Sequence, residues 1–489
     1  MRLGLKVYGW TWVAIWLVMS CICHSAACYH FYYLEQWGTF YYDGAEAWRT
    51  LCQQGGVMVL MAEFLQQFFC YGAGPFIFGA LMTAVAWAQG KLVKGSPRYL
   101  GCVTAITMLL SLTSSMGCLF SGSVTFAWTM LLLVMLFRAN KIGKCLAVVL
   151  LLCTVRESNL VRQGNEGTAL AYLPWATAAV ILLLQIFIKC FWIYRNKHHL
   201  VTSMSDRKKM LAGVGLQVFL VVGSSALLFG RYYQAKDEYM KKMYYFVRHQ
   251  QWDDIINRSN SHGSKGNVTF QLCRNMALAE KGELGEKFLM YEQSGMNSVV
   301  TTDMNSLQVA MLLTDVFYTM GYVNMSQLCA FESQECVNNK SPYLWQRLVD
   351  TNLENGAYAV AEKYIKKLER TLAYREWARE RRKFLYNDKA VNSDPVLGLK
   401  RKCIPANDCL IGQEGFDNDL ARIVAACPEH RASLEYLGAM YMVADQRGKF
   451  IELMKKYKGT KAMPHIPASF EKAMKTFELQ ATYSIEPIR

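Results

Sequence analysis

Apolar and polar positions follow two different rules along this chain, and the change falls near Arg231. Before it, uncharged runs dominate: Val7–Leu34, Gly72–Gly90, Tyr99–Phe137, Cys145–Val155, Gly167–Ile188 and Met210–Gly230. A run of about 20 apolar residues spans the roughly 30 Å hydrocarbon layer as a helix, so each long run predicts a membrane helix. Tyr99–Phe137 carries no charge over 39 residues, which predicts two helices with a turn in Gly117–Ser123. Cys145–Val155 has only 11 uncharged residues between Lys144 and Arg156. Such a run also suits a buried or re-entrant segment, but it serves as a span if both flanking cations snorkel. The pattern thus predicts seven spans.

After Arg231 the apolar residues recur at helical spacing, interrupted by turn glycines. AEKGELGEKFL (279–289), YTMGYVNMSQLCAFE (318–332), LENGAYAVAEKYIKKL (353–368) and DQRGKFIELMKKY (445–457) each read as helix, glycine turn, helix. Gly282, Gly321 and Gly356 are 39 and 35 residues apart, close to the period of about 34 in a tetratricopeptide repeat. NGAYAVAEKY resembles that repeat best, with Ala357 and Ala361 small enough for close helix packing and Tyr358 and Tyr364 beside them. The expected fold class is all-α: a seven-helix transmembrane module (1–231), then an irregular, TPR-like α-solenoid of roughly eight to twelve helices (232–489). Asn387 to Gly415 holds Pro395, Gly398, Pro405 and Gly412 and reads as a long loop.

Charge orients this architecture. Lys/Arg clusters sit at Arg2/Lys6, Lys91/Lys94/Arg98, Arg138/Lys141/Lys144 and Lys189 to Lys209, while the intervening loops are acidic, mixed or neutral. Basic loops stay in the cytoplasm, which predicts an inner-membrane protein with a cytoplasmic N-terminus and a periplasmic C-terminal domain. Dropping the Cys145–Val155 span would put the basic 195–209 loop outside, against that rule. The first run also competes as a cleavable signal, with Ser25-Ala26-Ala27 as a cleavage site, although it is long for one and further spans follow. The net charge of +15 is concentrated up to and including Arg231, where 18 Lys/Arg meet 7 Asp/Glu. The basic pI therefore reflects membrane topology, and nucleic acid is not an expected partner.

The first outer loop, Tyr33 to Gly72, places Trp37, Phe40, Tyr41, Tyr42 and Trp48 beside Glu35, Asp43 and Glu46. That composition suits helices lying on the outer leaflet, with the aromatics as an interface belt. Two resemblances meet here. The order of segments, with EQW (35–37), Gly55-Gly56 and EFLQQFF (63–69), resembles an uncharacterised family of polytopic membrane proteins, mostly of Bacteroidota, over most of the chain. The membrane half also resembles the GT-C glycosyltransferase superclass, in which an acidic loop with two surface helices follows the first span. That likeness implies catalysis by Glu35, Asp43 or Glu46 on an acceptor, a sugar donor on polyprenyl phosphate, and a divalent metal. Arg156, Arg162 and Arg231 are then the candidates for lipid-phosphate binding, with membrane-edge anchoring as the simpler reading. The first outer loop departs from the superclass in lacking an adjacent acidic pair; Asp43-x-x-Glu46 is a loose substitute.

Cysteine and histidine add little. Cys403 and Cys409 are the closest pair among the six later cysteines and the first disulfide candidate, with free buried thiols as the alternative. Cys21, His24 and Cys28 share a helical face without a fourth ligand, so no metal site is expected there. P-loop, GxSxG, HExxH and paired CxxC motifs are absent from the sequence. Two functions remain: a GT-C-like enzyme at the outer face, or a non-enzymatic anchor whose repeats recruit envelope proteins. Beyond membrane lipid, the expected partners follow from that choice.

Overall fold

The computed structural model describes residues 2–53, 55–93, 97–114, 120–157, 172–197, 206–233, 235–258, 266–301, 307–337, 339–405 and 415–483. These residues form an all-α protein without strands. Two compact units divide between Lys241 and Lys242, ten residues beyond the change of pattern at Arg231.

The N-terminal unit contains α1 (Arg2–Trp37), α2 (Gly44–Cys52), α3 (Gly56–Gln66), α4 (Gly74–Leu92), α5 (Gly101–Thr113), α6 (Phe120–Arg138), α7 (Lys141–Glu157), α8 (Leu173–Lys197) and α9 (Asp206–Tyr232), and the start of α10 (Ala235–Arg248). Among the described residues each apolar run of the sequence is largely helical, and Cys145–Val155 lies inside the continuous helix α7. Four stretches are long and apolar enough to cross a membrane: Gly9–Trp37, Phe120–Arg138, Leu173–Phe191 and Gly213–Tyr232. The 13-residue α5 is shorter. Phe219 and Leu227 on α9 are 73% and 77% exposed, an apolar surface that water would not tolerate at this extent.

Small residues let α4 lie close along α1. A Cβ on Gly74 would come within 2.5 Å of Phe31 Cβ, and one on Gly79 within 2.4 Å of Ser20 Oγ. Close approach through small residues is a principal source of helix association in lipid, where burial supplies no hydrophobic gain. Phe31, Phe69, Phe78 and Phe120 stack behind this contact in edge-to-face and tilted pairs.

The C-terminal unit takes the rest of α10 and then α11 (Trp252–Arg258), α12 (Val268–Glu280), α13 (Leu284–Lys287), α14 (Leu307–Thr319), α15 (Val323–Cys336), α16 (Pro342–Glu354) and α17 (Tyr358–Glu369). It continues with α18 (Arg375–Arg381), α19 (Asp388–Ser393), α20 (Leu397–Lys402), α21 (Phe416–Ala426), α22 (Arg431–Val443), α23 (Arg447–Tyr457) and α24 (Ala468–Tyr483). Neighbouring helices pack as hairpins, α14 on α15, α15 on α16 and α16 on α17. The hairpin turns share one device. Gly282, Gly321 and Gly356 adopt left-handed φ of 66°, 78° and 73°. In each case the next N–H reaches back to a carbonyl five residues earlier (Leu278, Phe317, Asn352), closing the helix end.

Two expectations differ from this. The turn in 445–457 is made by Asp445 at φ 53°, whereas Gly448 lies inside α23. The stretch 387–415 is also not one long loop, because α19 and α20 occupy its first half. Their junction is tight: a Cβ on Gly398 would sit 2.4 Å from the Asn392 carbonyl oxygen.

Candidate functional site

The predicted acids all lie where α1 hands over to α2 and α3. α1 is not one straight helix; at Ala27 the backbone leaves helical space (φ −145°, ψ 20°). A break of this kind strips hydrogen-bond partners from the peptide groups on either side. Glu238 supplies one set, its Oε1 accepting from the N–H groups of Tyr29 and His30 at 3.0 and 3.3 Å. Tyr233 supplies the other, its hydroxyl donating to the Ala26 carbonyl at 2.8 Å. Lys241 holds this segment by donating to the Thr113 carbonyl at 3.3 Å, with its ammonium 3.9 Å from Glu238. Beyond the break, His30 is fully buried and neither ring nitrogen has a hydrogen-bond partner.

Glu35 lies five residues further on and is 5% exposed. It acts electrostatically on the Cys70 thiol in the turn after α3. Gln66 donates to the Leu34 carbonyl, and Gln67 accepts from the Tyr42 hydroxyl at 3.3 Å, so the amides of EFLQQFF tie α3 to the end of α1 and to the loop before α2. The Gly55-Gly56 pair has a steric cause: Gly55 is left-handed (φ 80°), and a Cβ on Gly56 would fall 1.8 Å from the Thr50 carbonyl oxygen.

The other two acids have different tasks. Asp43 is the N-cap of α2, its carboxylate accepting from Ala45 N–H at 2.9 Å and Glu46 N–H at 3.2 Å. Glu46 is ion-paired with Arg49 at 3.6 Å, one helical turn on. Thus Asp43 and Glu46 are each engaged within α2, while Glu35 lies near the end of α1. Among the phosphate candidates, Arg231 lies over the Tyr232 ring at 5.9 Å. Arg162 and the Arg156 side chain lie outside the described residues. The break at Ala27 separates Cys21 and His24 from Cys28, and among the described residues no three His, Cys, Asp or Glu side chains converge as metal ligands. These residues do not fit the metal of the GT-C pattern.

The C-terminal unit contains a polar cluster that the sequence did not disclose. Arg347, Asp350 and Glu354 recur at i, i+3 and i+7 on α16. Arg347 donates to Asp315 on α14 at 2.9 Å and lies 3.5 Å from the Tyr318 ring centre. Asp350 pairs with Arg381 at 3.0 Å, and Glu354 accepts from the Tyr318 hydroxyl at 2.6 Å. Arg401 fans out to the carbonyls of Leu353 and Glu354, both at 3.0 Å, and to Asp388 at 2.8 Å. Lys400 donates to the Thr319 carbonyl at 3.2 Å and meets His430 Nε2 at 3.0 Å.

Burial sets the protonation of this cluster. It pushes the Glu354 carboxyl up to about 8, against the pull of its Tyr318 hydrogen bond. It also raises Asp350, and it lowers Lys400 and His430. Chemically the cluster is a set of ion pairs and hydrogen bonds that joins α14, α16, α18, α20 and α22 and leaves Arg347 Nε and Glu354 Oε2 without a hydrogen-bond partner. Cys403, one residue past α20, belongs to its edge, while Cys409 lies outside the described residues.

No curated protein and no solved structure matches the chain. A model of a family of unknown function, DUF6057, matches residues 5–486. The chain therefore belongs to the DUF6057 family.

Proposed function

We propose that this is a bacterial inner-membrane protein that crosses seven times through α1 and α4 to α9, with its N-terminus in the cytoplasm and its C-terminal unit in the periplasm. Its membrane unit acts as a GT-C-like glycosyltransferase on a lipid-linked sugar. The supporting observation is Glu35, a carboxylate held 5% exposed at the junction of α1 with the short helices α2 and α3. A superclass member would have its catalytic acid at that place in the chain. Glu35 takes the proton of the acceptor hydroxyl as the oxygen bonds to the sugar and the polyprenyl phosphate departs. Arg231, with Arg156 and Arg162 on the same predicted side, offers the charge for that phosphate.

The test is Glu35→Gln in the full chain, with envelope glycans profiled in cells that retain normal membrane levels of the protein. Loss of a glycan species is expected. Unchanged glycans would refute the enzymatic reading.

A second reading has its own observation. With Asp43 used as a cap and Glu46 paired to Arg49, the loop offers no acidic pair, as suits a non-enzymatic anchor. The hairpins of the C-terminal unit would then recruit envelope proteins. In-cell crosslinking separates the two readings, because recruitment should survive Glu35→Gln.

A further inference from the structure

Beside the corner where α19 meets α20, the C-terminal unit opens into a cavity of about 300 Å³. Asp394 builds the corner. Its carboxylate accepts from the N–H groups of Val396 and Leu397, both at 3.0 Å, and its carbonyl accepts from Gly398 N–H at 2.9 Å. Gly398 lines the cavity where the backbone of Asn392 leaves no room for a side chain. Arg401 fixes the corner to α16, donating to the Asn392 side chain and to the carbonyls of Leu353 and Glu354, each at 3.0 Å.

The remaining walls come from elsewhere in the chain. Glu429 stands next to His430, the N-cap of α22. Lys461 lies in the turn after α23, which closes through a bond from Gly459 N–H to the Met463 carbonyl at 2.8 Å. Lys402, the last residue of α20, donates to one oxygen of Glu429 at 2.8 Å, and the Lys461 ammonium lies 4.0 Å from the other. Three separately fixed stretches thus form the cavity before any ligand arrives, as is usual for small-molecule sites of about 300–1,000 Å³.

Charge decides what such a cavity can take. Lys402 and Lys461 balance Asp394 and Glu429, so an anion meets two carboxylates and a cation meets two ammonium groups. Hydrogen-bonding capacity is nevertheless left over. An ammonium has about three donors and a carboxylate about four acceptor sites, more than the bonds above employ. A hydroxyl both donates and accepts, so a polyhydroxylated ring engages both kinds of group without bringing a charge that must be desolvated. Pro395 and Leu399 add apolar surface for the C–H face of the ring.

We propose that this cavity is a saccharide-binding subsite that takes one neutral hexose or N-acetylhexosamine ring. Asp394 and Glu429 accept from the ring hydroxyls, and Lys402 and Lys461 donate to their oxygens. Every wall belongs to the C-terminal unit, so the inference does not rest on the reading of Glu35. A glycan-building enzyme and a recruiting anchor could each use such a subsite.

The experiment uses full-length protein purified in lauryldimethylamine oxide, because a glucoside or maltoside detergent would compete. Saturation-transfer NMR probes methyl glucoside, methyl mannoside, methyl galactoside, N-acetylglucosamine and glycine, and phosphorus NMR probes inorganic phosphate. A signal from at least one sugar is expected, with none from glycine or phosphate. Glu429→Gln should weaken sugar binding about tenfold or more, as for loss of one charged hydrogen bond. Ser393→Trp, which fills the cavity from an exposed lining position, should abolish it. Silence from every sugar would overturn the proposal, as would a sugar signal that either variant leaves intact. Glycine or phosphate binding that Ser393→Trp removes would also overturn it, by showing that the cavity takes charged groups. A thermal melt checks the fold of each variant, and should one melt early the other decides. Glu35→Gln should keep the sugar signal, so this proposal and the enzymatic one fail separately.

Discussion

Gly321 and Gly356 allow the packing of the C-terminal unit to be weighed against backbone strain. Both end a helix in the same left-handed conformation, at φ 78° and 73°. Alanine at either position pays about 1–2 kcal/mol to hold that conformation and recovers about 0.4–1 kcal/mol from a less flexible unfolded chain. The two differ in what a Cβ would meet. At Gly356 the nearest atom is Arg401 Nη2 at 3.9 Å, an ordinary contact. At Gly321 it is Ser433 Oγ at 2.9 Å and Cys403 Sγ at 3.0 Å. Ser433 cannot retreat cheaply, because its hydroxyl donates to the Met320 carbonyl at 2.5 Å and meets His430 at 2.5 Å. Overpacking of this kind costs about 1–3 kcal/mol. Gly356→Ala should therefore destabilise by about 1 kcal/mol and Gly321→Ala by about 2–4 kcal/mol. Urea denaturation of the full chain in detergent reads the difference as a lower midpoint at unchanged slope. Equal midpoints would refute the claim that the cluster behind Gly321 is rigidly packed.

Two further outcomes follow from the buried charges. Glu354 has a folded pKa of about 8 against an ordinary value of 4.5, so it binds its proton more tightly when folded; its contribution is full below about pH 4.5 and is lost as pH rises to about 8. Between those limits the wild type should lose a few kcal/mol that Glu354→Gln retains, and parallel pH–stability curves for the two proteins would contradict the assignment. Arg347→Ala leaves Asp315 buried without its cation and should cost about 3 kcal/mol; adding Asp315→Asn should recover part of it, and additive losses in the double-mutant cycle would show that the two side chains are not coupled.

The turn glycines show how far local chemistry could be followed along the chain. Gly282, Gly321 and Gly356 announce their turns because left-handed backbone favours glycine. The same turn is made elsewhere by Asp445, Gln250 and Asn339, at φ 53°, 54° and 56°. Each has the matching backward hydrogen bond, Gln446 to Tyr441, Gln251 to Phe246, or Asn339 itself to Gln334. At these places packing of the flanking helices outweighs about 1 kcal/mol of strain, and no residue type marks the choice. Pro395 and Gly398 were legible as breakers, but they mark a single junction between α19 and α20. Two short helices with buried Val391 and Leu397 do not produce a long enough apolar period to be seen.

The charged residues of α16 fail for a different reason. Leu344, Trp345, Leu348, Val349 and Leu353 cover one half of the helix, and Arg347, Asp350 and Glu354 fall on the other. That is the pattern of a surface helix with one solvated face. A stacked layer of α14, α18 and α20 covers the polar face, and the pattern of α16 alone carries no trace of its neighbours. The acids of the first loop repeat the lesson in reverse. Three carboxylates look equivalent in sequence, yet Asp43 is engaged by two backbone N–H groups and Glu46 by Arg49. Glu238, 203 positions after Glu35, joins the same end of the unit only because α1 breaks at Ala27 and its freed N–H groups need an acceptor. A carboxylate already held by two backbone N–H groups at a helix break has less freedom to turn toward a reacting hydroxyl. The same holds for a cap. By that argument the enzymatic proposal rests on Glu35 rather than on the acidic loop as a whole.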